Sequence, residues 1–307
     1  MHLVATGVIP IVVLLGLGAV LRRFFLREDG FWRGLEWASY QVFTPALFVS
    51  SISAADLTAV PPGPLLVSLM VPVLVVALFV IALRRPLRFE GPQLTSMVQG
   101  SIRLNTYIGL VFASALYGAE GVATFALAAA VMVPLVNVIS VTTLSVYGEK
   151  EPEQRRVGLR RELMENPLIQ GCALGLAINV SGLELPAFAA TTISMLAEPA
   201  LVCGTLVAGA AITFQLRARD TFDIGAAALL KLVALPSAAA ALATTLGVSG
   251  ATLASIVIIC ALPTAPSSYV LAGRMGGDTR LMASITGVQT ILAVVTLPLI
   301  ITLAAGR

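Results

Sequence analysis

Apolar stretches about as long as a membrane-crossing helix recur from one end of the chain to the other, separated by short polar or Gly/Pro-rich connectors. A bilayer core ~30 Å thick needs ~20 residues of helix to cross it. The windows predict ten spans, at 4–21, 37–54, 64–83, 94–116, 122–146, 167–182, 187–212, 224–246, 251–273 and 281–304. The pattern predicts an all-α polytopic membrane protein of ten transmembrane helices. Connectors such as Val60-Pro61-Pro62-Gly63-Pro64 are too short to hold a soluble domain. Only 147–166 is long enough for a linker, which divides the chain into 1–146, the linker, and 167–307.

Two spans carry interruptions. The fourth runs through Gly100 to Gly121 with Arg103 and Asn105 near its middle, and the ninth carries Pro263 and Pro266 at the matching depth. Proline removes an N–H and clashes with the preceding turn. Thr264, Ser267 and Ser268 offer hydroxyls to the freed backbone groups. The fourth span has no proline, so Asn105, Thr106 and Gly109 would have to make its break. An interrupted helix survives in hydrocarbon only where it is buried in protein or lines a polar cavity, and half-helix N-termini there favour an anion.

The two spans also overlay without gaps. Asn105 falls on Pro263, Gly118 on Gly276 and Glu120 on Asp278, each pair 158 residues apart. Pro10-(x)5-Gly16-Leu17-Gly18 resembles Pro167-(x)5-Ala173-Leu174-Gly175 at an offset of 157, and Pro45-Ala46-Leu47 matches Pro199-Ala200-Leu201 at 154. Pro72 matches Pro236 at 164. The preserved order predicts a duplicated five-helix unit whose second copy is inverted, because five is odd. Broken helices in inverted repeats mark a transporter's binding site.

Composition agrees with the windows: 58% hydrophobic and 11% charged residues with a mean hydropathy of +0.95 leave too little polar surface for a water-soluble body. The basic residues add orientation. Of the 19 Lys and Arg, 16 fall in odd-numbered loops (Arg22, Arg23, Arg27, Arg33; Arg84, Arg85, Arg88; Lys150, Arg155, Arg156, Arg160, Arg161; Arg217, Arg219; Arg274, Arg280). By the positive-inside rule those loops are cytoplasmic and both termini lie outside, as expected for a multi-pass protein of the cell (inner) membrane. The net charge of +3 is thus a topology signal, with no nucleic-acid partner expected. The first span has no basic residue before it and four after it, and reads as an uncleaved anchor.

Few polar residues sit inside the spans. Asn105 is the best substrate contact, since an amide both donates and accepts. Arg103 should face protein or a polar cavity, because a lipid-facing guanidinium would cost ~2.5–3.5 kcal/mol. Lys231 lies seven residues beyond Ile224, close enough to snorkel to the interface. Glu198 is expected near the centre of the seventh span, as a proton carrier or as the ion-pair partner of Arg103 or Lys231. Cys172, Cys203 and Cys260 are not at metal-ligand spacing and His2 is the only histidine, so no metal or other cofactor is expected. An intramembrane enzyme would need a HExxH or GxGD motif that the chain lacks. A sodium-coupled symporter or cation/proton antiporter remains the alternative to an organic-anion carrier, although the chain lacks the paired aspartates of an antiporter's ion site.

Arg103-Leu-Asn105-Thr-Tyr107-Ile-Gly109-Leu, Leu116-Tyr-Gly118-Ala-Glu120-Gly121, Pro134-Leu-Val-Asn137-Val, Pro263-Thr-Ala-Pro266-Ser-Ser-Tyr269-Val-Leu-Ala272, Met275-Gly276-Gly277-Asp278 and Gln289-Thr290 resemble the auxin efflux carrier family in its bacterial form. The likeness covers nearly the whole chain. It implies crossing helices four and nine, and efflux or exchange of an organic anion such as a carboxylate, with a proton or sodium as possible coupling ion. It also implies a scaffold of helices one, two, six and seven, a mobile unit of the other six, and a homodimer. The substrate set expected on these grounds is Arg103, Asn105, Thr106, Pro263, Thr264, Pro266, Ser267, Ser268 and Tyr269, with Glu198, Lys231, Asn137 and Gln289 as coupling or charge partners. The family often has Asn where this chain has Ser267.

Overall fold

The computed structural model describes residues 2–55, 62–149, 164–183, 185–211 and 220–305. Most of the 147–166 linker, with Lys150 and its four arginines, lies outside the described residues, as do Arg217, Arg219 and part of the Val60–Pro64 connector. Among the described residues all regular structure is helical. Five helical stretches are long and apolar enough to cross a bilayer: Pro62–Leu87, Gly91–Tyr147, Ala187–Ala210, Thr221–Thr245 and Thr279–Ile301. Pro167–Ser181 and Gly250–Ala261 are shorter apolar helices.

In chain order the helices are α1 (His2–Val20), α2 (Asp29–Ala38), α3 (Thr44–Ser53), α4 (Pro62–Ala82), α5 (Arg84–Leu87), α6 (Gly91–Ile102) and α7 (Thr106–Tyr147). They continue as α8 (Pro167–Ser181), α9 (Ala187–Ala197), α10 (Pro199–Ala210), α11 (Thr221–Leu229), α12 (Leu235–Thr245), α13 (Gly250–Ala261), α14 (Ser267–Met275) and α15 (Thr279–Ala305). Short π-helical turns extend α1 and join α2 to α3 and α11 to α12.

Three features differ from the sequence expectation. The second span begins at Asp29 instead of 37, because α2 is amphipathic: Asp29, Arg33 and Glu36 share one side of it with the buried Trp32, whose Nε1–H donates to the Leu26 carbonyl, and Phe31, Leu35 and Ala38 take the other. An uninterrupted apolar window misses such a turn. The loop expected between the fourth and fifth spans is a single glycine, Gly118, whose φ of +55° redirects the 42-residue α7. Gly276, which the repeat aligns with Gly118, also has positive φ, +75°, and ends α14. Both need a backbone that only glycine adopts freely. The third difference is Gly109, which takes no part in a break. It lies within α7 beneath the Phe125 ring and Leu262, where a Cβ would overlap them.

Helix packing separates two groups. In the first, α1 lies on α10 and α3 on α8. Glycines set these approaches: a Cβ on Gly18 would overlap the Leu206 carbonyl, one on Gly209 the Leu15 carbonyl, and one on Gly171 would stand 2.9 Å from the Pro45 backbone. Small residues allow such backbone contact where lipid offers helices no hydrophobic drive to associate. The second group surrounds α13, whose segment from Ile256 to Ala261 is fully or nearly fully buried against α7, α12 and α15. α7 also touches α1, α3, α8 and α10, so this helix joins the two groups.

Candidate functional site

Both interrupted helices are true breaks. Residues 103–105 separate α6 from α7 and residues 262–266 separate α13 from α14. The breaks cross, and the Asn105 N–H donates to the Pro263 carbonyl at 2.8 Å, joining the two residues that the repeat aligns.

Every freed backbone group near the crossing then needs a partner. Asn105 caps α7, its Oδ1 accepting from the N–H groups of Tyr107 at 3.2 Å and Ile108 at 3.5 Å. Gln289, reaching in from α15, accepts the Thr264 N–H at 3.0 Å and donates to the Gly100 carbonyl at 2.8 Å. The Thr264 hydroxyl lies 2.8 Å from Gln289 Oε1 and 3.2 Å from the Gly100 carbonyl. Lys231 Nζ donates to the Cys260 carbonyl at 3.0 Å and, at the edge of hydrogen-bond range, to that of Ile102 at 3.5 Å. Of the three hydroxyls expected to satisfy the break, only that of Thr264 does so. Asn105→Ala should therefore lower stability by ~0.5–2 kcal/mol through loss of the cap, whereas Asn105→Asp and Asn105→Ser should hold their unfolding temperature near the parent's in detergent.

Beside the crossing lies a cleft of about 660 Å³, its open mouth included. One wall is the crossing itself: Arg103, Leu104, Asn105, Thr106 and Tyr107, then Asn137 with its neighbours on α7, then Ala265, Pro266 and Ser267. The facing wall is Glu36 and Tyr40 from the second span, Leu168 of α8, and Val207 and Ala208 of α10. The Arg103 guanidinium spans the first wall, with Nη1 donating to Asn137 Oδ1 at 3.0 Å and Nη2 to Ser267 Oγ at 3.2 Å. The N-termini of α7 and α14 both open onto the cleft, so two partial positive charges add to that of the guanidinium. A second cleft, lined by Arg22, Asp29, Trp32 and Arg33, shares Glu36 and Val207 with the first and extends it toward the arginine-rich end.

Arg103, Asn105, Thr106, Pro266, Ser267 and Asn137 thus come together on the cleft. Pro263, Thr264 and Gln289 lie behind it as buried parts of the crossing, Ser268 is buried with no hydrogen bond at Oγ, and Tyr269 is half exposed outside it. Two expectations need correction. Lys231 does not snorkel: the π-helical turn at Leu230–Ala234 carries it inward, and it is fully buried at the crossing. Glu198 is not an internal charge: it sits exposed on the outer surface at the junction of α9 and α10, while Arg103 and Lys231 bond to the groups above.

Glu36, Tyr40 and Tyr107 are the polar residues lining the cleft that the sequence reading did not single out as site residues. Glu36 was hidden because it precedes the apolar window of its helix, and Tyr107 stood only within a motif. The ring of Tyr107 packs on Gly204 of α10, where a Cβ would overlap it, and its hydroxyl is buried without a hydrogen bond.

No curated protein matches the chain. A family model described as membrane transport protein matches residues 3–301, in agreement with the resemblance to auxin efflux carriers, and the chain belongs to that family.

Proposed function

We propose that the chain is a secondary transporter, for efflux or exchange, of a small organic anion such as a carboxylate, working by alternating access. The observation that carries this reading is the cleft wall on which the Arg103 guanidinium and two half-helix N-termini meet. A guanidinium presents paired donors that match a carboxylate, and helix N-termini favour an anion without any further charge. The cleft also lies between the two groups of helices, where relative motion would expose it to either side in turn.

The grouping supports a scaffold of spans one, two, six and seven against a mobile unit of the other six. Exchanging span one with six and two with seven turns the α1–α10 contact into the α3–α8 contact, as two inverted five-helix units at 1–146 and 167–307 require. The aligned glycines Gly118 and Gly276 and the Asn105–Pro263 bond fit the same symmetry. The homodimer implied by the resemblance would place a second copy over the outer face that carries Glu198 beside Met195 and Val202, sparing that carboxylate contact with lipid.

The test is uptake of labelled mono- and dicarboxylates into proteoliposomes, with and without a pH or sodium gradient. Saturable uptake of at least one is expected, and none for any would end the reading. Orientation is tested separately on a background lacking the three native cysteines. Single cysteines at Ser181 and Ser249 should react with an impermeant thiol reagent from outside the cell, and those at Glu28 and Glu149 should not. Reversed labelling at two of these four sites would reject the topology.

A further inference from the structure

Lys231 does not line the cleft, yet it is the largest fully buried charged side chain in the described structure. Its ammonium forms no salt bridge with any described carboxylate. Its two acceptors are backbone carbonyls, Cys260 O at 3.0 Å and Ile102 O at 3.5 Å. Each belongs to the last turn of a 12-residue half-helix that stops at the crossing, α13 for Cys260 and α6 for Ile102.

The charges balance without a carboxylate. A helix C-terminus carries about half an elementary negative charge, so two converging C-termini present about one. That is the complement of a single monovalent cation, and half-helix C-terminal ends are groups that hold small cations in broken-helix carriers. On the opposite side of the crossing, two helix N-termini face the cleft. The crossing is therefore polarised, positive toward the cleft and negative toward Lys231.

We propose that Lys231 is a tethered cation: its ammonium fills a monovalent-cation site made by the C-terminal carbonyls of α6 and α13, and so makes the crossing independent of added sodium or potassium. This deepens the carrier reading by assigning the site's need for a cation to the chain itself. Its stability arm stands without that reading, and only its transport arm rests on it.

The experiment follows thermal unfolding of the purified full-length protein in sodium, potassium, methylammonium or N-methylglucamine chloride at matched ionic strength. The parent protein should unfold at one temperature in all four salts. Lys231→Ala should unfold several degrees lower in N-methylglucamine and recover saturably with methylammonium or sodium. Lys231→Met fills much of the same volume without charge; it should be destabilised and unresponsive to any of the salts. A parent protein stabilised by sodium would overturn the proposal, as would Lys231→Met equal in stability to the parent. Lys231→Ala that folds but responds to no cation would overturn it too; should that variant not fold in any salt, the parent and Lys231→Met decide. In proteoliposomes, uptake by the parent should be equal in sodium and potassium. Absence of uptake for every anion, with the unfolding results as expected, would sink the carrier reading and leave the cation site standing.

Discussion

Arg103→Gln is expected to remove saturable anion binding while leaving a folded, membrane-inserted protein. Among the described residues that line the cleft Arg103 is the one cationic side chain, and its two terminal nitrogens donate to the Asn137 and Ser267 side-chain oxygens. The two bonds fix the plane of the guanidinium at the cleft wall, where its charge attracts an anion. Truncating one member of a buried, hydrogen-bonded charge pair costs ~2–5 kcal/mol, roughly 30-fold or more in affinity at 1.4 kcal/mol per tenfold. Folding should tolerate the change, since Asn137 and Ser267 border the open cleft where water can replace the lost donors. Arg103→Lys should fall between, because an ammonium keeps the charge but cannot bridge both oxygens. Substrate-dependent thermal shifts and the concentration dependence of exchange measure the effect. Parent-like affinity in Arg103→Gln would remove this residue from the binding site.

Gly209→Leu is expected to give the largest loss of stability. A Cβ at Gly209 would coincide with the Leu15 carbonyl group, a backbone position that no rotamer change can vacate. The reciprocal contact of Gly18 with Leu206 lies on the same pair of helices, so α1 and α10 would have to separate along their length. Overpacking a well-packed contact costs ~1–3 kcal/mol and more where backbone must move. Gly16→Ala is the matched control, since a Cβ there meets nothing within 4 Å, and its unfolding temperature should stay near the parent's. Equal stability of Gly209→Leu and Gly16→Ala would mean that the two helices are not in backbone contact.

How far a residue sits along a helix is legible in hydropathy, whereas which way it faces is not. Asn105 and Pro263 could be paired from the repeat alone, and a hydrogen bond joins them. Gly118 and Gly276 could be aligned, and both have positive φ. Lys231 and Glu198 are the opposite case. Depth alone suggested a snorkelling lysine and an internal glutamate, but a helix apolar on all sides leaves no stripe from which to read its rotation. The π-helical turn at Lys231 shifts that rotation further, and a one-residue bulge leaves no trace in composition. Glu36 was missed for a different reason, because an amphipathic entry turn is too polar for a membrane window. Of the residues expected to make helix four's break, Asn105 is the one whose side chain caps the new helix start.

The two walls of the cleft come from different groups of helices, and this bears on how the carrier would discriminate between inside and outside. Arg103 donates to both Asn137 and Ser267 on a single wall, so in the alternating-access reading a rigid displacement of that wall would carry these two bonds unchanged. On that reading their contribution to affinity would be similar on both sides of the membrane. A kinetic asymmetry, such as a tighter inward-facing than outward-facing half-saturation, would then arise on the opposite wall, at Glu36, Tyr40, Leu168, Val207 and Ala208. Substitutions there would change sidedness, whereas substitutions at the guanidinium would scale both faces alike.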